Sequence, residues 1–173
     1  MESLRSRRLD TPIGRLTLFS TDEGLVHIAF DGEEGAEYSR LREAAVEEPD
    51  SAPEAARQLR EFFAGTRTSF DLPLAVTGDT FTRRAQRALG EIPFGTTVTY
   101  VELADMAGNA RAVRAAGSAC ARNPLPIVWA CHRVIRTDGT WGNYRGGPRA
   151  KSWLLTFESG SAGSRNLDGP AEV

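Results

Sequence analysis

Two cysteines, Cys120 and Cys131, and two histidines, His27 and His132, are the only side chains of their types in the 173 residues, and one of each stands side by side at Cys131 and His132. A thiol attacks as the thiolate. With an unperturbed pKa of about 8.5 it is mostly protonated near neutral pH, and it needs a base or a positive charge nearby to react. His132 is the adjacent base. Consecutive side chains on a strand point to opposite faces, however, so their cooperation requires a sharp bend or a relay through water. The same residues also fit a buried, inert thiol. The two cysteines lie eleven positions apart and match no paired-cysteine spacing, so neither a disulfide framework nor a cysteine-rich zinc module is expected.

The elements that must hold Cys131 follow from the flanking sequence. The apolar run Ile127, Val128, Trp129 and Ala130 predicts a short buried strand that delivers the thiol at its end. Upstream, Thr80 is placed to cap a helix over 81–89 that Gly90 terminates. A second helix fits 100–106 and breaks at Ala107, Gly108 and Asn109. A third fits 111–122 and stops at Asn123 and Pro124. Two short helices joined by a tight glycine-containing turn form the helix-turn-helix pattern, whose second helix usually lies in a DNA groove. That helix carries Arg111, Arg114 and Arg122, with small residues such as Ala115 and Ser118 between them, and small side chains let a backbone approach whatever it faces. A packed core is the alternative for that face. Downstream, 138–147 is rich in turn residues, and a helix over 148–157 has Trp153, Leu154 and Phe157 on its apolar side.

The N-terminal part has a different character. Residues 15–20 alternate, 21–24 supply turn chemistry and 25–30 read as the return strand of a hairpin. Residues 31–50 are acidic and predict a loosely ordered connection with a helical piece near 38–45. Pro53 sits in the first turn of a helix whose Ala56, Leu59, Phe62 and Phe63 recur at helical spacing before Gly65, and 69–74 predict a short strand. With a boundary at 76–79, the elements predict an α+β protein. A small hairpin-containing α/β domain with an acidic loop spans 1–78, and a mainly helical domain with the helix-turn-helix spans 79–158. A disordered tail is expected over 159–173.

The net charge of −2 conceals a segregation: residues 1–80 hold 9 basic and 16 acidic side chains, whereas residues 81–153 hold 11 basic and 4 acidic. A basic half of this kind can meet an acidic polymer. No apolar run reaches the roughly 20 residues of a membrane helix, and the first residues lack the apolar stretch of a signal peptide. A cytoplasmic protein without membrane partners is expected.

Residues 123–134 (NPLPIVWACHRV), 142–147 (GNYRGG) and 151–158 (KSWLLTFE) resemble the active-site region of the O6-alkylguanine-DNA alkyltransferase family; 97–104 (TVTYVELA) and 107–117 (AGNARAVRAAG) resemble its helix-turn-helix, in the same order. The resemblance spans roughly 80–158. It implies repair by stoichiometric transfer of the alkyl group from O6-alkylguanine in double-stranded DNA, and from O4-alkylthymine by extension, onto Cys131. A thioether has no easy route back, so each molecule acts once, as a suicide enzyme. His132 would deprotonate the thiol through a water and Glu158 would orient the imidazole. Tyr100 would donate a proton to the leaving guanine, and Asn123 would support the cysteine segment. Arg114 would fill the gap left by base flipping, with Arg111, Ala115, Ser118, Arg122 and Thr99 contacting DNA. Tyr144, Arg145, Val134 and Trp129 would contact the substrate. No cofactor is implied, and a monomer is expected. Some relatives hold zinc through N-terminal Cys and His; residues 1–80 contain no cysteine and one histidine, so no metal site is expected.

Two departures stand out. The family usually has proline immediately before the nucleophile, whereas this chain has Ala130, preceded by Trp129. Proline fixes φ and lacks a donor, so alanine is expected to affect the rate more than the reaction. The helix over 81–89 also begins differently from the family's pattern. The alternative function is that of an alkyltransferase-like, lesion-binding or regulatory DNA-binding protein with a poorly reactive cysteine. Family members of that kind carry tryptophan in place of the nucleophile, which Cys131 does not match. A cysteine hydrolase is disfavoured because nothing resembles an oxyanion hole.

Overall fold

The computed structural model describes residues 2–161 and divides the chain into two compact units, Met1–Val76 and Thr77–Val173. The fold is α+β, with the sheet in the first unit and a mainly helical second unit.

In the first unit, β1 (Arg5–Thr11), β2 (Gly14–Thr21) and β3 (Gly24–Phe30) form an antiparallel meander, and β4 (Val46–Glu47) adds in parallel to β1, giving the order β3-β2-β1-β4. The expected hairpin is thus β2–β3, and a further strand precedes it. β1 escaped notice because only Leu9 on it is buried; its arginines are held by polar partners, Arg5 by Asp22 at 2.5 Å and Arg7 by the Ser51 carbonyl at 2.9 Å. The acidic connection is more ordered than expected, containing α1 (Ala36–Ala44) as well as β4. Helix α2 (Pro53–Phe63) buries Ala56, Leu59 and Phe62, as its periodicity predicts, together with Ala55, whereas Phe63 is part-buried.

Residues 69–74 do not form the expected strand. Only Leu74 makes a ladder contact, with Leu25. Pro73 lacks a donor, and the Gln58 side chain takes both backbone groups of Asp71 at 2.9 Å, so neither is available to a neighbouring strand. Gly24 is required here: at φ +142 a Cβ would lie 2.4 Å from the Pro73 carbonyl oxygen.

The second unit is built on three helices packed against one another: α3 (Phe81–Leu89), α4 (Tyr100–Met106) and α5 (Val113–Ala121). The Thr80 hydroxyl accepts from the Arg83 N–H, capping α3. Gln86, buried on α3, donates to the Ala119 carbonyl of α5 at 3.1 Å, and Arg84 reaches the Ala107 carbonyl at the end of α4 at 3.3 Å. Helix α5 is shorter than the periodicity suggests; Arg111 and Arg122 flank it. The Asn109 side chain accepts from the Arg111 N–H and holds the residues ahead of α5 in a turn.

The predicted strand over 127–130 is absent. Pro124 and Pro126 remove donors, Ile127 takes a left-handed conformation at φ +76, and the chain coils into buried turns before a single 3₁₀ turn, Cys131–Arg133. It then pairs as β6 (Val134–Ile135), in parallel, with β5 (Val98–Thr99). Helix α6 (Pro148–Ser161) runs past the predicted end at 157 because Leu154, Leu155, Glu158 and Ser159 are buried and continue its inner face. Residues 159–161 therefore belong to a helix, and the rest of the expected tail lies outside the described residues.

Candidate active site

Asn123 builds the segment that carries the thiol. Its side-chain amide donates to the Trp129 carbonyl at 2.7 Å and its oxygen accepts from the Leu125 N–H at 3.1 Å, so one buried side chain closes the loop between them. The Trp129 carbonyl also accepts from the Cys131 N–H at 2.8 Å, and the Ala130 carbonyl accepts from the Arg133 N–H at 3.0 Å. The 3₁₀ turn supplies the sharp bend that a flat strand lacks. Cys131 thereby lines a cavity while His132, next in sequence, is fully enclosed at 0% exposure.

His132 Nε2 donates to Glu158 Oε2 at 2.7 Å. The same carboxylate receives Arg133 through two bonds, Nε to Oε1 at 2.9 Å and Nη2 to Oε2 at 2.8 Å, and the Gly95 N–H at 3.2 Å. Arg133 is fixed in turn by the Ile92 carbonyl at 2.6 Å, with its guanidinium over the Phe94 ring. Burial alone would raise the Glu158 carboxyl, but the bonds from His132 and Arg133 outweigh it and hold its pKa at about 2. Burial, assisted by the Arg133 and Lys151 charges, pushes the imidazole of His132 below its ordinary value against the pull of Glu158. An ionised Glu158 beside a neutral His132 fixes the proton on Nε2. Nδ1 keeps its lone pair, and it is buried with no hydrogen-bond partner among the described residues.

The cavity, of about 780 Å³, lies within the second unit. Tyr100, Arg114, Ser118, Cys131, Tyr144 and Arg145 all line it. Parallel pairing of Val98 with Val134 and Thr99 with Ile135 brings Tyr100 to the cysteine turn. Burial raises the Tyr100 phenol to about 12, so it stays a proton donor. Gly142 faces it at φ +71, where a Cβ would stand 3.0 Å from the tyrosine oxygen. Burial also raises the Cys131 thiol, partly offset by the Asn123 side chain and the Arg145 and Lys151 charges. The resting group is therefore a thiol that needs a base. The Tyr144 ring meets His132 edge-on at 6.4 Å.

Arg114 and Ser118 lie on the α5 face that borders the cavity; Ala115 is part-buried and lies off it, and Arg111 and Arg122 are exposed at either end of the helix. Thr99 caps α4 in a reciprocal box with Glu102. Val134 and Trp129 do not line the cavity. The Val134 carbonyl accepts from Lys151 Nζ at 2.8 Å, and the Trp129 indole packs on Gly90. Arg133 and Lys151 went unassigned in the sequence, although each is a charge inside an otherwise apolar pattern. Lys151 is 1% exposed, donates to the Val134 and Trp141 carbonyls, and is lowered by burial to about 8. Cys120, on α5, shares the cavity wall with Cys131. No three His, Cys, Asp or Glu side chains among the described residues converge so as to hold a metal ion, and none of the described helices is long and apolar enough to cross a membrane.

Comparison with known proteins matches residues 80–160 to the model described as 6-O-methylguanine DNA methyltransferase, DNA binding domain, and residues 4–76 to that described as 6-O-methylguanine DNA methyltransferase, ribonuclease-like domain. The chain is 41% identical over 150 residues to a methylated-DNA--protein-cysteine methyltransferase of Methanosarcina barkeri, covering 87% of this chain and 94% of that protein. It is 34% identical over 151 residues to a constitutive enzyme of the same name from Bacillus subtilis, covering 86% and 92%. Among solved structures, the Mycobacterium tuberculosis O6-methylguanine methyltransferase superposes with a TM-score of 0.84 at 35% identity, covering 94% of this chain and 96% of that one. A structure of the M. tuberculosis protein in complex with DNA gives 0.83 at 36% identity, covering 91% and 94%.

Proposed function

The chain belongs to the 6-O-methylguanine DNA methyltransferase family, and from that membership we propose that it repairs DNA by moving the alkyl group of O6-alkylguanine, and by the same displacement of O4-alkylthymine, onto Cys131. It is a DNA-binding methylated-DNA--protein-cysteine methyltransferase. The observation that carries the residue assignment is the His132–Glu158 bond at 2.7 Å, which leaves the imidazole lone pair on Nδ1 in the turn that also presents Cys131 to the cavity.

The reaction is an in-line displacement. His132 Nδ1 takes the thiol proton through a bridging water, and the Glu158 carboxylate stabilises the imidazolium that forms. The sulfur lone pair forms the S–C bond while the C–O6 bond breaks, leaving its electrons on the guanine. Tyr100 gives its proton to the guanine ring, so no free anion departs. All atoms and charges balance among protein and substrate, and the thioether ends the life of the site after one turnover. Arg114 fills the space vacated by the flipped nucleotide, while Arg111, Ser118, Ala115, Thr99 and Arg122 meet the DNA around it; Arg145 and Tyr144 hold the base in the cavity. The protein works as a cytoplasmic monomer.

Incubation of the full chain with a duplex containing O6-methylguanine is expected to add 14 Da, the mass of one methylene, confined to the Cys131 peptide. Duplex binding with an unmodified Cys131 peptide would defeat the proposal.

A further inference from the structure

Trp129 and Ala130 stand immediately ahead of the nucleophile, and the structure ties both to the end of α3. Gly90 has φ −69 and ψ −12, a helical conformation open to any residue, so its backbone does not demand glycine. Space does. A Cβ there would lie 3.0 Å from Trp129 Cδ1, so the indole would have to give by a few tenths of an ångström, and 3.2 Å from the Arg87 carbonyl oxygen. Ala130 has φ −78, which proline could adopt, but its N–H donates to the Leu89 carbonyl at 3.3 Å, and proline has no such donor. The Trp129 main chain is held by three hydrogen bonds: its N–H donates to the Leu125 carbonyl at 2.7 Å, and its carbonyl accepts from the Asn123 side-chain amide at 2.7 Å and from the Cys131 N–H at 2.8 Å. The residue whose indole faces Gly90 thus shares its carbonyl with the Cys131 N–H, which joins the seat of the ring to the cysteine turn.

We propose that Trp129 seated on Gly90 is a positioning pair that aims Cys131, taking over from the proline that this chain lacks. The inference rests on the proposed transfer reaction and adds to it. Displacement demands the attacking sulfur within about 3–3.5 Å of the alkyl carbon and in line with the breaking bond, and a misplacement of about 1 Å costs on the order of 100-fold. A methyl group at position 90 pushes the indole and tilts the thiol; a smaller ring at 129 leaves the seat loose. The two changes compensate because the added methyl occupies space that the smaller ring vacates.

The test is a cycle of Gly90→Ala, Trp129→Phe and the double variant, with single-turnover transfer from an O6-methylguanine duplex, duplex Kd and melting temperature measured for each. Each single variant is expected to transfer about five- to tenfold more slowly with Kd within twofold of the parent, and the double variant to recover to within about twofold of the parent rate. A double variant no faster than the slower single variant, or a folded Gly90→Ala protein with the parent rate, overturns the pairing; so does rate loss matched by equal loss of duplex binding. If Gly90→Ala fails to fold, Trp129→Phe against the double variant still decides, because only the pairing predicts that the added methyl speeds transfer. Failure of the parent protein to transfer defeats the proposed function and the pair's role with it, whereas a transferring parent with uncoupled variants defeats the pair alone.

Discussion

His132 and Glu158, 26 residues apart, share a 2.7 Å hydrogen bond in which neither side chain is more than 2% exposed. Glu158 also neutralises Arg133, so replacing it with glutamine removes a tautomer lock and strands a buried guanidinium. Glu158→Gln is expected to slow transfer by about 10²–10⁴-fold and to lower unfolding free energy by about 3–5 kcal/mol. Chemical denaturation together with single-turnover kinetics reads both, and a variant as stable and as fast as the parent would refute the arrangement.

Both partners carry depressed values, which sets the pH behaviour. In the unfolded chain a glutamate titrates near 4.3 and a histidine near 6.5. Folded, His132 lies below its usual value and Glu158 sits at about 2. Below about pH 6.5 the unfolded chain thus binds more protons than the folded one, and stability falls with pH, first through His132 and then through Glu158 between about 4.3 and 2. Because His132 stays neutral past the usual histidine midpoint, the transfer rate should stay level from pH 8 down through 6.5 and drop only beneath it. A half-maximal rate at or above pH 6.5 would count against a depressed His132.

Arg114 is exposed on the α5 face that borders the cavity. Extruding a nucleotide costs a few kcal/mol, and losing about 2 kcal/mol of the compensation corresponds to roughly 30-fold. Arg114→Ala should slow repair of an O6-methylguanine duplex by about that factor while leaving reaction with free O6-methylguanine nearly unchanged. Equal losses on both substrates would exclude the gap-filling role.

Gly142→Ala places a methyl 3.0 Å from the Tyr100 oxygen and forces a side chain into φ +71. Backbone strain of about 1–3 kcal/mol and a displaced phenol are the expected result. Thermal melting should register the strain and single-turnover kinetics a slower transfer. Parent-like values on both measures would show that Tyr100 has room to spare.

Much of the second unit was legible because its cues are local. Thr80 caps α3 and Gly108 and Asn109 follow the end of α4, just as apolar periodicity marks α2 in the first unit. The reading failed where a distant partner decides the backbone. Nothing near 69–74 announces that Gln58 will take the Asp71 backbone bonds, and the apolar run 127–130 looks like a strand until Asn123 closes the loop. The arginines of β1 hid a strand by satisfying themselves through Asp22 and Ser51 rather than through an apolar face. At the site, Cys131 and His132 were visible by their rarity. The role of Glu158 came only from resemblance, and Arg133 and Lys151 were missed because a charge within an apolar pattern does not name its partner.

Lys151 has a consequence of its own. Its ammonium, bonded to the Val134 and Trp141 carbonyls in the interior, ties β6 and the residues ahead of α6 to the helix itself. Arginine would bring a planar fork in place of the compact ammonium, while methionine would leave both carbonyls without the donor that Lys151 supplies. Across a lineage of such proteins, position 151 should therefore resist drift, first from architecture, and invariance alone would enrol it among the reacting groups.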